Sequence, residues 1–184
     1  MYKFIAIVCL PFLLYGANGK LLHVVDGDTA VFKTKTKNTI CHMGAIDTPE
    51  ISLNNKLKKE MKKCDFSKNE FIKAGKLSHD YAKTLLKVGQ TYQYEVLGQT
   101  RSKNFICKII LPKGLHVELR PTMDELMIAR GYALPYVINS SKEESKLLLK
   151  IAKDAKIQKL GLWKEHAKIM QCLVEHRYSL RSLR

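Results

Sequence analysis

The sequence predicts an α+β domain built on a small β-barrel, and the order and composition of its segments support this fold class. Strand-like segments come first, a helix follows, two more strands come next, and helices complete the chain. At 184 residues the chain is long enough for one domain with a substantial core. Its 46% apolar content argues against disorder over most of its length.

The first predicted strands end at acidic turns. Segments 20–25 and 29–33 flank Asp26-Gly27-Asp28, which is a turn signature. Segment 39–46 is apolar and strand-like, and it runs into Asp47-Thr48-Pro49-Glu50, where the proline stops strand pairing.

A second pair of strands is predicted further along the chain. Segment 91–97 alternates in polarity, and 105–111 is its expected hairpin partner. The link from Gly98 to Asn104 is polar and basic.

Helical signals fill the remaining segments. Residues 51–68 resemble a long surface loop with some helix, and 69–87 has helical spacing and is expected to end at Gly89. A short helix at 122–130 is closed by Gly131, and Ser141 with Glu144 forms a predicted capping box that opens a longer helix. The face of that longer helix carries Leu147, Leu148, Ile151, Ala152 and Ala155.

Both ends of the chain are predicted to lie outside the domain. Residues 1–19 have a lysine, an apolar run and small residues before Lys20, which is the pattern of a secretory signal peptide. The apolar run is too short for a spanning helix, so we expect a secreted or periplasmic protein with no integral membrane segment after cleavage. The domain is then 20–165, and 166–184 is a basic tail that is a frayed helix or disordered.

The net charge and the cysteines indicate which partners and which cellular compartment to expect. The net charge of +15 favours a polyanionic partner such as DNA, RNA or an anionic membrane surface, although a lysine-rich solvated surface has the same composition. Export would place four cysteines in an oxidising compartment, and no CxxC pair suggests zinc. We therefore expect disulfides, with all three pairings open, among Cys41, Cys64, Cys107 and Cys172.

The two acidic turns stand out in a basic chain. Only 17 residues are acidic, yet Asp26-Gly27-Asp28 and Asp47-Thr48-Pro49-Glu50 each follow a predicted strand. Carboxylates gathered in a positively charged protein can hold a hard cation, and that cation can bind a phosphate. Acidic turns are also common without any metal.

Four segments, in order, resemble the staphylococcal nuclease family. The first two carry its active-site carboxylates, and the last two resemble its Gly-x-Ala loop and its closing Gly-Leu-Trp. They are Val25-Asp26-Gly27-Asp28-Thr29, Ile46-Asp47-Thr48-Pro49-Glu50, Glu125 to Gly131-Tyr132-Ala133, and Gly161-Leu162-Trp163.

This resemblance implies an OB-fold, a five-stranded β-barrel with about three α-helices, in a monomer that hydrolyses DNA and RNA with Ca²⁺ or another divalent cation. Asp28 and Asp47 match the metal-binding carboxylates, and Thr48 matches the residue whose carbonyl faces the metal. Glu50 matches the proposed general base, which would activate water for attack on phosphorus. Asp26 is expected to be a turn residue, and Trp163 a core residue.

The chain departs from the family at its two phosphate-binding arginines. His42 stands at the first arginine position and Asn104 at the second, or Ile106 in an alternative register. An arginine offers a fixed fork of donors to phosphate, and losing one transition-state donor typically costs about 10²–10³ in rate. The departure therefore raises a second possibility, a nuclease fold that has lost catalysis and binds nucleic acid.

Other residues are candidates to replace the lost arginines. A protonated His42 would make the activity favour acid pH, although a histidine on this strand can also simply face the cleft. Substrate contacts are expected from Arg101, Lys103 and Lys108, and from Tyr136 at the mouth of the site. We keep catalysis as the first hypothesis because Asp28, Asp47 and Glu50 are all present, which a binding module would not need.

Overall fold

The structure is a computed structural model that describes residues 16–112, 121–138 and 140–183. Its strands are β1 (Gly16–Asp26), β2 (Thr29–Lys33), β3 (Asn38–Met43), β4 (Ile46–Asp47), β5 (Thr91–Gln99), β6 (Phe105–Ile110) and β7 (Leu134–Pro135). Five of them close into a barrel in the order β1-β2-β3-β6-β5, which confirms the predicted five-stranded barrel. Strands β3 and β6 pair in parallel, whereas the other barrel neighbours are antiparallel.

The described residues also form six α-helices, more than the three that the resemblance implied. They are α1 (Asn55–Cys64), α2 (Lys68–Leu85), α3 (Met123–Ala129), α4 (Lys142–Ile157), α5 (Leu162–Glu165) and α6 (Ala167–Glu175). A short 3₁₀ helix covers Tyr178–Leu183. No helix in this described part is long and apolar enough to cross a lipid bilayer.

Local capping explains where several of these helices begin. Ser67 with Glu70 and Thr122 with Glu125 form complete capping boxes at α2 and α3. Ser141 accepts a hydrogen bond from the Glu144 amide as predicted. The Glu144 side chain, however, forms an ion pair with Lys108 on β6, so α4 is also tied to the barrel.

Two predictions about helix details need correction. Helix α2 ends at Leu85, and Gly89 lies in the following turn with φ +85°, a conformation that glycine adopts without strain. On α4, Leu148, Ala152 and Ala155 are buried, but Leu147 is 47% exposed and does not belong to the buried face.

The barrel interior is built from residues that alternate along its strands. Phe32 stacks against Tyr94 with ring centroids 5.2 Å apart, and Tyr92 approaches the same phenyl ring edge-on. Leu21 and Ile109 are fully buried beside them. Trp163 is 4% exposed, which confirms that it packs in the core.

Strand β1 begins inside the segment that the sequence assigns to the signal peptide. Gly16, Ala17, Asn18 and Gly19 pair with β5, and Lys20 supplies the fifth pair of that ladder. Residues 1–15 of the predicted signal peptide lie outside the described residues. Cleavage after Gly19 would therefore remove four of the five β1–β5 pairs.

The basic tail is helical and packed, so the expected fraying or disorder is not found in its described part, residues 166–183. Four residues of α6 are buried: Ile169, Met170, Leu173 and Val174. Leu180 and Leu183 of the 3₁₀ helix are also buried. Basic residues made the segment resemble a solvated tail, but its apolar residues recur at helical spacing and supply a core face.

The cysteines pair as Cys41–Cys107 and Cys64–Cys172. The first disulfide joins the parallel neighbours β3 and β6, and the second ties the end of α1 to α6. The predicted disulfides are thus present, and the fold selects one of the three possible pairings.

Candidate active site

The tight turn between β1 and β2 presents Asp28. The Asp28 amide donates to the Asp26 carboxylate at 3.2 Å, so Asp26 acts as the turn residue that the sequence predicted. A Cβ atom on Gly27 would come within 3 Å of the Thr48 and Ser78 side chains. The missing side chain at Gly27 lets this turn pack against the second acidic segment.

The second acidic segment follows β4, which pairs with β7. Thr48 donates to Asp28 Oδ2 through its backbone amide at 3.0 Å and through its hydroxyl at 3.1 Å. These two bonds join the two acidic turns. We call Asp28, Asp47, Thr48 and Glu50 the acidic site.

Helix α2 supports the acidic site from behind. A Cβ atom on Gly75 would overlap the carbonyl oxygen of Glu50 and crowd that of Pro49. Only glycine allows the helix backbone to approach this segment so closely. Gly75 therefore helps to set the position of Glu50 relative to helix α2.

A lysine lies in the middle of the acidic site. The Lys56 Nζ atom is 2.5 Å from Asp47 Oδ1, 2.7 Å from the Thr48 carbonyl oxygen and 2.8 Å from Glu50 Oε1. These oxygens include two of the expected metal ligands, so the lysine ammonium takes the position of a cation among them.

The C-terminal segment brings a second positive charge. Arg177 Nη2 forms ion pairs with Asp47 Oδ2 and, at 3.3 Å, with Glu60 on α1. The arginine side chain is 20% exposed, and its Nη1 atom is buried without a hydrogen-bond partner. Both carboxylate oxygens of Asp47 are thus engaged by cationic side chains of the protein.

The two positions that lack arginines lie next to each other. Asn104 Nδ2 is 3.3 Å from His42 Nε2, and His42 Nδ1 is 2.9 Å from the Thr29 hydroxyl. Thr29 in turn donates to Asp28 Oδ1 at 3.0 Å. A continuous chain of contacts thus runs from Asn104 through His42 and Thr29 to Asp28.

A cavity of about 290 Å³ opens over this arrangement. Three acidic-site carboxylates (Asp28, Asp47 and Glu50) line it, together with His42, Met43, Gly44, Ile46, Lys56, Thr100, Ile106 and Tyr136. Ile106, the alternative candidate for the second arginine position, faces the cavity directly.

The predicted substrate-binding residues divide into two groups. Tyr136 lines the cavity and is 41% exposed, as expected for a residue at its mouth. Arg101 and Lys103 are exposed in the tight turn that connects β5 and β6. Lys108 lies outside the cavity lining, with its ammonium 2.5 Å from Glu144.

Burial and neighbouring charges shift the pKa values of Asp28 and Lys56. Burial, with help from Asp26 and Asp47, raises the pKa of Asp28 to about 6, against the opposing effects of Lys56 and the Thr48 amide. Burial works against the Lys56 ammonium, but Asp47, Asp28 and Glu50 hold the pKa of Lys56 above its usual value. Lys56 is therefore charged at neutral pH.

Sequence reasoning missed Lys56, Glu60 and Arg177. Lys56 and Glu60 are four residues apart on α1, a spacing that places both on one helix face, so this pair was detectable. Arg177 had no local signal, because the Cys64–Cys172 disulfide and the packing of α6 bring it to Asp47.

The donor chemistry of the acidic site suits the divalent cation that the resemblance implies. Carboxylate and carbonyl oxygens are the ligands that Ca²⁺ prefers, and the Lys56 ammonium shows that these oxygens hold positive charge. In the present arrangement Asp28, Asp47 and Glu50 do not bring three ligand oxygens within 4.8 Å of one another.

Another cluster in the described residues is compact enough for a metal, namely Cys64, Cys172 and His176. Its two sulfur atoms are joined in a disulfide and are not thiolate ligands. The acidic site remains the candidate centre.

Comparison with known proteins identifies the family of the chain. A search of curated proteins gives no match. The sequence model described as "Staphylococcal nuclease homologue" matches residues 41–165, a range that includes Asp47, Thr48 and Glu50. Asp28 precedes this range, but the hydrogen bonds to Thr48 place it in the same site. This match covers more than half of the chain, and the protein belongs to the staphylococcal nuclease homologue family.

Proposed function

We propose that this protein is a phosphodiesterase that cleaves DNA and RNA internally with little sequence preference. One observation carries the proposal: the carboxylates of Asp28, Asp47 and Glu50 line one cavity, and a lysine ammonium binds two of them. The net charge of +15 would attract a polyanionic chain to this cavity.

Glu50 is the proposed general base. A water oxygen would attack phosphorus, its proton would pass to the Glu50 carboxylate, and the bond from phosphorus to the leaving ester oxygen would break. The leaving oxygen would take a proton from solvent. Asn54 donates to Glu50 Oε2 at 2.6 Å, which holds the carboxylate at the cavity.

The proposal includes calcium, held by Asp28, Asp47 and the Thr48 carbonyl. When bound there, the ion would neutralise charge on the phosphate. The oxygen donors support this assignment, and other divalent cations have the same requirement for hard ligands.

His42 lies on the wall that the substrate phosphate would meet, and Asn104 contacts His42 from outside the cavity lining. Neither offers the forked pair of donors of an arginine, so this wall stabilises transition-state charge poorly. Because the wall lacks arginine, we expect slow turnover. Tyr136 at the cavity mouth is available to contact a nucleoside.

A binding module is the second candidate function. The observation that favours it is the contact between His42 and Asn104 at the positions where the family binds phosphate with arginines. In that case the carboxylates and Lys56 would serve the structure of the site, and the basic surface would hold nucleic acid.

The test is digestion of single-stranded DNA and of RNA with calcium, with magnesium and with a chelator. We expect slow, calcium-dependent cleavage that falls by about 10²–10⁴ in Glu50→Gln, because a general base contributes that much. Glu143→Gln, an exposed carboxylate in the first turn of α4, is the matched control and should cleave normally. Salt-sensitive binding without cleavage under any condition would support the binding module instead.

We also propose that the protein is exported. The two disulfides support an oxidising compartment, a secreted or periplasmic location, because disulfides rarely persist in the cytosol. Recovery of the protein from the periplasm or culture medium, with both disulfides formed, is the corresponding measurement.

A further inference from the structure

Lys56 is positioned by the start of α1. Asn54 caps this helix by accepting a hydrogen bond from the Leu57 amide at 2.9 Å, while its Nδ2 atom donates to Glu50. One side chain therefore links the helix start to the acidic site. This link directs the second helical residue, Lys56, over the carboxylates.

The Lys56 ammonium uses the donors that a metal would need. It binds Asp47 Oδ1 and the Thr48 carbonyl oxygen, and it binds Glu50 Oε1 as well. Arg177 covers the other oxygen of Asp47. A divalent cation cannot share these positions with Lys56, because both are positive and both would lie within contact distance of the same oxygens.

Competition from a tethered group lowers the apparent affinity for a ligand. The observed dissociation constant equals the intrinsic one divided by the fraction of molecules in the competent state. If Lys56 is withdrawn in about one molecule in a hundred, the apparent affinity falls about a hundredfold. The Lys56 side chain is 34% exposed, so it has a route out of the site.

We propose that Lys56 is a built-in competitor of the divalent cation, and that metal binding requires its ammonium to leave Asp47, Thr48 and Glu50. The proposal rests on the proposed function only for the identity of the metal-binding oxygens. At low calcium, Lys56 neutralises the acidic site. At a calcium concentration high enough to displace the lysine, the site becomes available to the metal.

The test is calorimetric titration with calcium alone, without nucleic acid, of the full-length protein and its variants. Lys56→Met should bind calcium at least about tenfold more tightly than the unmodified protein, because the competing charge is gone. Lys59→Met is the matched control, since Lys59 is exposed on the same helix, and it should bind like the unmodified protein. Equal affinity in all three folded proteins, or no calcium binding by any of them, would overturn the proposal.

A second measurement uses the unmodified protein and so avoids a variant that fails to fold. Amine-reactive labelling followed by mass spectrometry should show Lys56 reacting faster at saturating calcium, with Lys59 unchanged. Labelling of Lys56 that stays constant while calcium binds would contradict displacement. Tight calcium binding by Lys56→Met without nucleic acid cleavage would retain this inference and reject the proposed phosphodiesterase, so the two failures are distinguishable.

Discussion

At the scale of single residues, His42 occupies the position where the family resemblance leads us to expect an arginine. It lies on the cavity wall, bonded to Thr29 on one side and to Asn104 on the other. Both ring nitrogens of His42 are therefore engaged within the protein, Nδ1 by Thr29 and Nε2 by Asn104. In this arrangement His42 helps to order the side chain of Thr29 beside Asp28.

Replacing His42 with arginine should restore a forked donor at this wall. We expect His42→Arg to raise kcat/KM for single-stranded DNA by about tenfold or more, part of the 10²–10³ that one transition-state donor supplies. The measurement is initial-rate kinetics beside Asn104→Arg. A rate that stays the same or falls in both variants would show that the missing arginines do not limit the reaction.

Asp124 is a buried carboxyl group that the proposed mechanism does not use. It is 1% exposed, accepts a hydrogen bond from the Ala45 amide at 3.2 Å, and has an unpartnered Oδ2 atom. Burial raises the pKa of Asp124 from 3.8 to about 7, despite the Ala45 amide and the neighbouring Lys108. Between these two values the folded protein binds more protons than the unfolded chain.

This carboxyl group should make stability fall as pH rises. The free energy of unfolding should decrease from about pH 4 to pH 7 through this group and then stay constant, because the folded state holds the extra proton only below pH 7. Asp124→Asn should abolish that slope and stabilise the protein at pH 8 by up to about 4 kcal/mol, while it keeps the bond from Ala45. Urea unfolding at pH 5 and pH 8 is the measurement, and an equal effect of the substitution at both values would contradict it.

At the scale of elements, the approach of α2 to the acidic site depends on Gly75. The helix backbone lies against Pro49 and Glu50, where a Cβ atom has no room. The same helix begins at its own Ser67–Glu70 capping box, which involves no residue of the acidic site. The start of the helix is thus fixed locally, whereas its distance from Glu50 is set by packing.

Gly75→Ala should therefore destabilise the protein and displace Glu50. We expect a loss of about 1–3 kcal/mol from overpacking, although alanine favours a helix over glycine by about 1 kcal/mol. Gly98→Ala is the control, because no atom lies within 4 Å of a Cβ atom there. The measurements are the unfolding midpoint and the rate of nucleic acid cleavage. Both should be lower for Gly75→Ala than for Gly98→Ala. Equal stability and activity would show that α2 can move away without consequence.

For helix α1, the sequence predicted the element but not its role in the acidic site. Its lysine-rich composition and its cysteine predicted a surface segment with some helix, held by a disulfide, and the structure confirms that description. Its contribution to the site was not predicted, because a lysine-rich helix is usually solvated and only the fold places Lys56 over Asp47.

At the scale of the whole molecule, the first and the last described segments both take part in the fold. The start of β1 completes the ladder with β5, and α6 with the 3₁₀ helix packs apolar side chains into the core. The family match ends at residue 165, yet Arg177 reaches the acidic site from beyond it. The folded unit is therefore larger than the predicted domain at 20–165.

A chain that begins at Lys20 should be less stable than one that begins at Gly16. Loss of four pairs between β1 and β5 removes several backbone hydrogen bonds at about 1 kcal/mol each, so we expect a cost of roughly 2–4 kcal/mol. Urea unfolding of the two chains is the comparison. N-terminal sequencing of the exported protein would then show which form occurs, and equal stability would mean that the barrel closes without these residues.

Features that depend on neighbouring residues were predictable from the sequence. Capping at Thr122, the turn at Asp26 and the alternation in β5 arise from contacts within a few residues, and four short motifs in order sufficed to predict the barrel. The acidic turns that carry Asp28, Asp47 and Glu50 stood out because they lie at strand ends in a basic chain, and the family resemblance supplied the expected roles of these residues.

Tertiary structure alone decided the disulfide pairing, the pairing of Arg177 with Asp47 and the position of Lys56 among the carboxylates. These contacts join segments that are far apart in the chain or depend on the angle at which a helix leaves a turn. Their free energy comes from charges and packing that exist only after the barrel and its helices have assembled. The sequence alone therefore determined which chemical groups are available, and the fold determined which of them meet.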